Sequence, residues 1–280
     1  MTVLITATEL ADALASPTPP VVLDVRWKLT AAGGPPYDGH AAYLTGHVPG
    51  AVFVDLDTEL AAHGQPTDGR HPLPSADALE TAMRRWGIDE GDAVVVYDGE
   101  GNLAAARAWW LLRWAGVDDV RLLDGALPAW VAGEGALATD DVVPRLGSVT
   151  ITPGSLPTLD AEGAAAWPAT GVLLDARAAE RFRGEAEPID PRAGHVPGAR
   201  NAPTTANLGP DGRFLPAEEL QERFASLGID GDRPVAAYCG SGVTAAHEVA
   251  ALAIAGIDAA LYPGSWSQWS NLDLPVATGD

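Results

Sequence analysis

Along the chain, short apolar runs alternate with segments that repeat apolar residues at helical spacing. Ala93-Val94-Val95-Val96-Tyr97 and Pro234-Val235-Ala236-Ala237-Tyr238 lack polar alternation, as strands covered on both faces do. Ser75 to Trp86 and Ala217 to Leu227 carry the helical period, and each begins just after a proline that suits a helix start. Trp109, Trp110 and Trp114 also fall at helical spacing and read as core. Strands alternating with helices predict an α/β fold with a largely parallel sheet. In such sheets ligands gather beyond the carboxyl ends of the strands.

The pattern occurs twice in the same order. Val21-Val22-Leu23-Asp24-Val25-Arg26 answers Val172-Leu173-Leu174-Asp175-Ala176-Arg177, and Gly46-His47-Val48-Pro49-Gly50-Ala51 recurs as Gly194-His195-Val196-Pro197-Gly198-Ala199. Tyr97-Asp98-Gly99-Glu100-Gly101 mirrors Tyr238-Cys239-Gly240-Ser241-Gly242, and Gly125 to Trp130 mirrors Gly264 to Trp269. One ancestral domain used twice explains this, rather than a solenoid of short repeats. The stretch from Ala136 to Asp160 is rich in Thr, Pro, Gly and Ser and has no helical period. The expected organisation is therefore a first domain over 1–140, a linker over 141–160 and a second domain over 161–280, each a mainly parallel sheet flanked by helices.

Composition narrows the chemistry. A 280-residue chain with 47% hydrophobic residues can bury two ordinary cores. Its net charge of -21 argues against nucleic acid or anionic lipid as partners, since phosphate contacts need clustered Lys and Arg. A single cysteine cannot form an internal disulfide or a multi-thiolate zinc site, and the six histidines show no paired spacing, so neither a metal nor a cofactor is expected. The N-terminal segment lacks the pattern of a signal peptide, and no apolar run approaches the ~18 residues of a membrane span. These features predict a cytoplasmic protein, and two domains sharing their own cleft give no need for a dimer.

That cysteine, Cys239, lies where the second long strand runs through a glycine-containing loop into an alanine-rich helix. Backbone N–H groups and the helix dipole at such a position favour the thiolate, the form that attacks and that carries sulfur. Sulfur taken up by Cys239 would form an anionic persulfide. Successive N–H groups from Gly240 through Ser241, Gly242 and Val243 to Thr244 can stabilise that charge, with Gly240 and Gly242 allowing a tight turn and close approach. The first half has Asp98 at the equivalent position and cannot perform thiolate chemistry, so one half is catalytic and the other structural or substrate-shaping. A cleft between two such domains is a favoured place for a small-molecule pocket.

The paired Asp-x-Arg strand ends, the paired Gly-His-Val-Pro-Gly-Ala segments and the cysteine loop confined to the second half resemble the two-domain rhodanese family of sulfurtransferases over essentially the whole chain. Within it, the loop Cys239-Gly240-Ser241-Gly242-Val243-Thr244 is similar to that of the 3-mercaptopyruvate sulfurtransferases, whereas thiosulfate-specific rhodaneses carry basic residues where this chain has Gly240 and Ser241. A dual-specificity phosphatase would need Arg at position 245, which is Ala. The resemblance implies that Arg181, in Ala179-Glu180-Arg181-Phe182, binds the donor carboxylate. It implies a second arginine in the segment Glu187-Pro188-Ile189-Asp190-Pro191-Arg192, where Arg192 is displaced from the family position. It also proposes that Ser241, His71 and Asp57 relay the proton that pyruvate enolate needs.

The implied reaction moves sulfane sulfur from 3-mercaptopyruvate to Cys239 and then to cyanide or a thiol such as reduced thioredoxin. Two alternatives stand behind it: thiosulfate as the donor, and a non-catalytic module that binds partners or senses oxidants through its thiol. His47 and His195 occur in both halves and are expected to hold turns. Asp24 and Asp175, with Arg26 and Arg177 as partners, are expected to brace loops, and Trp266 and Trp269 to wall the pocket.

Overall fold

A computed structural model describes residues 2–30 and 37–280. The strands are β1 (Leu4–Ile5), β2 (Val21–Asp24), β3 (Val52–Phe53), β4 (Val94–Tyr97), β5 (Val120–Leu123), β6 (Val172–Asp175), β7 (Arg200–Asn201), β8 (Val235–Tyr238) and β9 (Ala259–Leu261). They form two all-parallel sheets, ordered β1-β5-β4-β2-β3 and β7-β6-β8-β9. The strand order β5-β4-β2-β3 of the first sheet matches β9-β8-β6-β7 of the second. The register agrees too: Asp24 pairs with Tyr97 as Asp175 pairs with Tyr238. The edge strand β1 has only a bridge as its counterpart, Thr158 beside Leu261, within the stretch read as linker. That stretch forms no helix up to Asp160, yet it is pinned along the first domain through Arg84 Nε donating to Val149 O at 2.9 Å and Thr152 N–H donating to Ala115 O at 2.7 Å.

The duplicated motifs brace the carboxyl ends of the central strands in the same way in both halves. Arg26 pairs with Asp24 at 2.7 Å and donates to Gly46 O at 2.7 Å; Arg177 pairs with Asp175 at 2.6 Å and donates to Gly194 O at 2.6 Å. The Val48 and Val196 N–H groups donate to the hydroxyls of Tyr97 and Tyr238. His47 stacks on Tyr43 and His195 on Phe182, each with Nδ1 at the carbonyl of its stacking partner, so both histidines hold turns. Trp266 and Trp269 do not wall a pocket. They are fully buried in the second domain's core with Leu173, Ala236 and Tyr262, and their indole N–H groups donate to Arg192 O and Pro275 O.

The domains join through one apolar core. The helix Ala105–Trp114 that follows the Asp98 loop packs on the helix Thr244–Ile254 that follows the Cys239 loop, and their small residues Ala105, Ala108, Ala245 and Ala246 are all buried. Small side chains let these helices approach and bring the carboxyl ends of both sheets together. A polar seam runs beside them: His247 stands between Thr204 Oγ1 at 2.7 Å and Gly101 O at 3.2 Å. Glu248 accepts from Asn207 Nδ2 at 2.6 Å, while its Oε1 has no partner among the described residues. Burial raises the Glu248 carboxyl from 4.5 to about 7. An acid so raised contributes stability below pH 4.5 that is lost as pH climbs through 7. Glu248→Gln removes that loss, so the stability of the variant relative to wild type should rise by about 3 kcal/mol between pH 4.5 and pH 8, as read by urea denaturation at both values.

Candidate active site

Cys239 follows β8 directly and is only 1% exposed. Its own N–H donates to Ser265 Oγ at 3.1 Å, and its carbonyl accepts from Trp266 N–H at 2.9 Å, which fixes the start of the loop. The chain then curls back so that Gly242 N–H points at Cys239 Sγ at 3.1 Å. Among the described residues, the N–H groups of Gly240, Ser241 and Val243 have no acceptor within the protein. Gly242 must be glycine: its φ is +79°, and a Cβ there would lie 2.4 Å from Pro263 O. The result is a backbone ring around the thiol with donors to spare for a second sulfur atom. Val243 caps the following helix, and Thr244, its first residue, lines a neighbouring cavity of about 240 Å³ with Arg26, Lys28 and Glu100.

The first domain's matching loop also turns backbone N–H groups towards the residue at its head, with the anion built in. The Asp98 carboxylate accepts the N–H groups of Glu100, Asn102, Ala104 and Ala105 at 2.8–3.1 Å. This carboxylate occupies, in the duplicated fold, the place that Cys239 has in the second domain. Of these donors, Glu100 and Asn102 have Ser241 and Val243 as counterparts, whose N–H groups have no acceptor among the described residues and are available to a reacting sulfur.

Three residues remote in sequence meet beside the loop. His71 Nδ1 lies 2.7 Å from Ser241 Oγ, and His71 Nε2 lies 3.4 Å from Asp57 Oδ1, which also accepts from Trp27 Nε1 at 3.0 Å. Trp27 meets the imidazole edge-on, with ring centroids 5.5 Å apart. The carboxylate selects the tautomer: Nε2 carries the proton towards Asp57, and Nδ1 is left to accept from the Ser241 hydroxyl. Burial lowers the His71 pKa and outweighs the raising effect of Asp57, so the ring is neutral at pH 7; Asp57 is in turn held low chiefly by its hydrogen bond to His71. His71 and Asp57 face a cavity of about 290 Å³ with Trp27, Tyr37, Arg70 and Ile189.

The arginines divide differently from expectation. Arg181 stands at the loop, with Nη1 3.4 Å from where a Cβ on Gly240 would be, and it is held by Glu187 at 2.6 Å and Asp190 at 3.1 Å. Arg192 does not join it. Its guanidinium donates to the carbonyls of Ser270, Leu274, Trp269 and Leu272 and so fastens the C-terminal segment. An arginine filled by four carbonyls has no free fork for a ligand.

Two arginines from the first domain were missed. Arg70 Nη2 lies 3.3 Å from the same notional Cβ on Gly240. Arg107, fully buried, donates to Gly242 O at 3.1 Å, His71 O at 3.0 Å and Leu60 O at 3.1 Å, joining the loop to both segments that carry the relay. Burial pushes its pKa down to about 10, and the Cys239 charge acts in the opposite direction. A lone arginine inside the otherwise apolar run Ala-Ala-Arg-Ala-Trp-Trp-Leu-Leu was the signal that could have found it.

The chain is similar to known proteins over both of its halves. The rhodanese-like domain family matches residues 6–133 and 160–272. A protein of Mycobacterium tuberculosis strain H37Rv named "Putative thiosulfate sulfurtransferase SseB" is 50% identical over 96% of this chain and 94% of its own length. The "Probable 3-mercaptopyruvate sulfurtransferase" of Pseudomonas aeruginosa is 47% identical over 99% and 98%. The crystal structure of SseA from Escherichia coli, a 3-mercaptopyruvate sulfotransferase, superposes with a TM-score of 0.82 at 32% identity, covering 95% of this chain and 99% of that one. Among the described residues no helix is long and apolar enough to cross a membrane. With both halves matched and the relatives aligned end to end, the chain belongs to the rhodanese family of sulfurtransferases.

Proposed function

We propose that the protein is a 3-mercaptopyruvate sulfurtransferase that works through a Cys239 persulfide. The observation that carries this reading is the hydrogen-bonded order Ser241–His71–Asp57 beside the cysteine loop. Thiosulfate leaves sulfite, a stable anion that needs no proton, whereas mercaptopyruvate leaves a carbanion equivalent at C3 that does. A proton relay at the sulfur-transfer site is useful to the second donor and superfluous to the first.

The Cys239 thiolate attacks the donor sulfur, and the donor's S–H proton passes to Ser241 and the neutral His71. The S–S bond forms as the C3–S bond breaks, and its electron pair moves into the pyruvate enolate. The proton held on His71 returns through Ser241 to C3, giving pyruvate and leaving the persulfide as an anion. The N–H groups of Gly240 to Thr244 face the terminal sulfur when it is ionised. A second nucleophile, cyanide or a thiol such as reduced thioredoxin, then attacks that sulfur and releases the Cys239 thiolate. The first domain, residues 1–140, contributes the relay and shapes the pocket. The chain acts as a monomer in a reducing compartment, the cytoplasm, where its single thiol stays free.

The test is sulfur transfer to cyanide by the purified protein, with mercaptopyruvate and thiosulfate at equal concentration and Cys239→Ser as the blank. At least tenfold preference for mercaptopyruvate, with one pyruvate per thiocyanate, is expected on the order of magnitude that a missing acid–base step costs. Preference for thiosulfate would overturn the donor, and absence of Cys239-dependent turnover would leave a binding or sensing module.

A further inference from the structure

Gly240 is bordered by two guanidiniums from different domains. Arg70 Nη2 and Arg181 Nη1 lie 3.3 Å and 3.4 Å from the position of its notional Cβ, and among the described residues neither nitrogen donates a hydrogen bond. Asp190 sits behind them with a side chain only 3% exposed. Its Oδ1 accepts from Arg70 Nη1 at 2.8 Å, and its Oδ2 accepts from Arg181 Nη2 at 3.1 Å. Arg70 is also fixed to the loop: its N–H donates to Ser267 Oγ at 2.9 Å, while Ser267 N–H donates to Gly240 O at 2.8 Å. It shares the relay's cavity of about 290 Å³, so a group held between the two arginines lies next to His71.

We propose that Arg70 and Arg181 close on the donor's carboxylate as a clamp split between the domains, and that Asp190, which bridges them, holds the clamp to a charge that selects a monoanion over a dianion. The idea rests on the donor reading above. Two guanidiniums with Asp190 leave one positive charge, which a mercaptopyruvate carboxylate cancels. Glu187 lowers the field further: Arg177, which it also meets at 3.3 Å, is already matched by Asp175, so the clamp carries at most one positive charge and a second negative charge on the donor goes unmatched. Thiosulfate would bring a surplus negative charge into a site already supplied with two internal carboxylates, and at close range such surplus is costly. Arg70 thereby takes the place that Arg192 leaves, and Asp190 acts as a positioning residue through the arginines.

The experiment measures kcat and KM with both donors for wild type, Asp190→Asn and Arg70→Gln. Asp190→Asn should raise the kcat/KM ratio of thiosulfate to mercaptopyruvate by about tenfold, because the doubly charged donor gains twice the relief. Arg70→Gln should raise KM for mercaptopyruvate by about tenfold with a smaller change in kcat, the mark of lost binding. An unchanged donor ratio in Asp190→Asn, or equal losses with both donors, overturns the charge-selecting role. An unchanged KM in Arg70→Gln removes Arg70 from the clamp. Should wild type release no Cys239-dependent pyruvate, the donor reading fails separately. Thiosulfate kcat/KM then still decides the clamp: a rise in Asp190→Asn supports it and no rise overturns it.

Discussion

Replacing Cys239 by serine should abolish sulfur transfer from either donor, by roughly 10⁴-fold or more, while leaving the fold intact. A hydroxyl cannot form the persulfide, and no second thiol exists in the chain to replace it. The loop survives because its anchors are backbone: Cys239 N–H to Ser265 Oγ, Trp266 N–H to Cys239 O and Ser267 N–H to Gly240 O. A second readout follows from the loop. The N–H groups of Gly240, Ser241 and Val243, without an acceptor among the described residues, gain one in the outer sulfur of the persulfide. Wild type preincubated with mercaptopyruvate should gain one sulfur atom in intact mass and melt at a higher temperature than untreated enzyme. Cys239→Ser should show neither change. Sulfur uptake by the serine variant, or undiminished thiocyanate formation, would remove Cys239 from the reaction.

The duplicated fold was readable because duplication writes each constraint twice. Asp24-x-Arg26 and Asp175-x-Arg177 stand out as repeated loop braces in the residues alone, and the arginines reach the glycine carbonyl of the Gly-His-Val-Pro-Gly-Ala turns in both halves. Cys239 was readable as well, because strand, thiol, glycine loop and helix are contiguous. The relay was not derivable from local pattern, since Ser241 and His71 are 170 residues apart and meet only when two helices of small residues dock. Resemblance alone supplied it. Arg192 misled for the opposite reason: it is close in sequence to the expected position, yet four carbonyls of the C-terminal segment claim its guanidinium. Trp266 and Trp269 were placed at the pocket because they follow the last strand, but large aromatic rings with a satisfied N–H pack better into the second core.

Ser241→Ala should separate the two donors. Removing the hydroxyl leaves His71 beside the loop without a path for its proton, so turnover of mercaptopyruvate should fall by about 10²- to 10⁴-fold, the range expected when acid–base assistance is lost. Transfer from thiosulfate needs no proton at the leaving group and should fall far less. The pH profile carries the same logic. His71 must be neutral to accept the first proton, and burial holds its pKa below the ordinary value of 6.5, so the acid limb of the mercaptopyruvate reaction should lie below that pH. Asp57 raises the pKa of His71, so Asp57→Asn should shift the limb to still lower pH while reducing the rate through loss of the tautomer. In Ser241→Ala the limb should vanish with the relay. Equal losses with both donors, or an acid limb unmoved in Asp57→Asn, would mean that Ser241, His71 and Asp57 brace the domain junction instead of moving the proton.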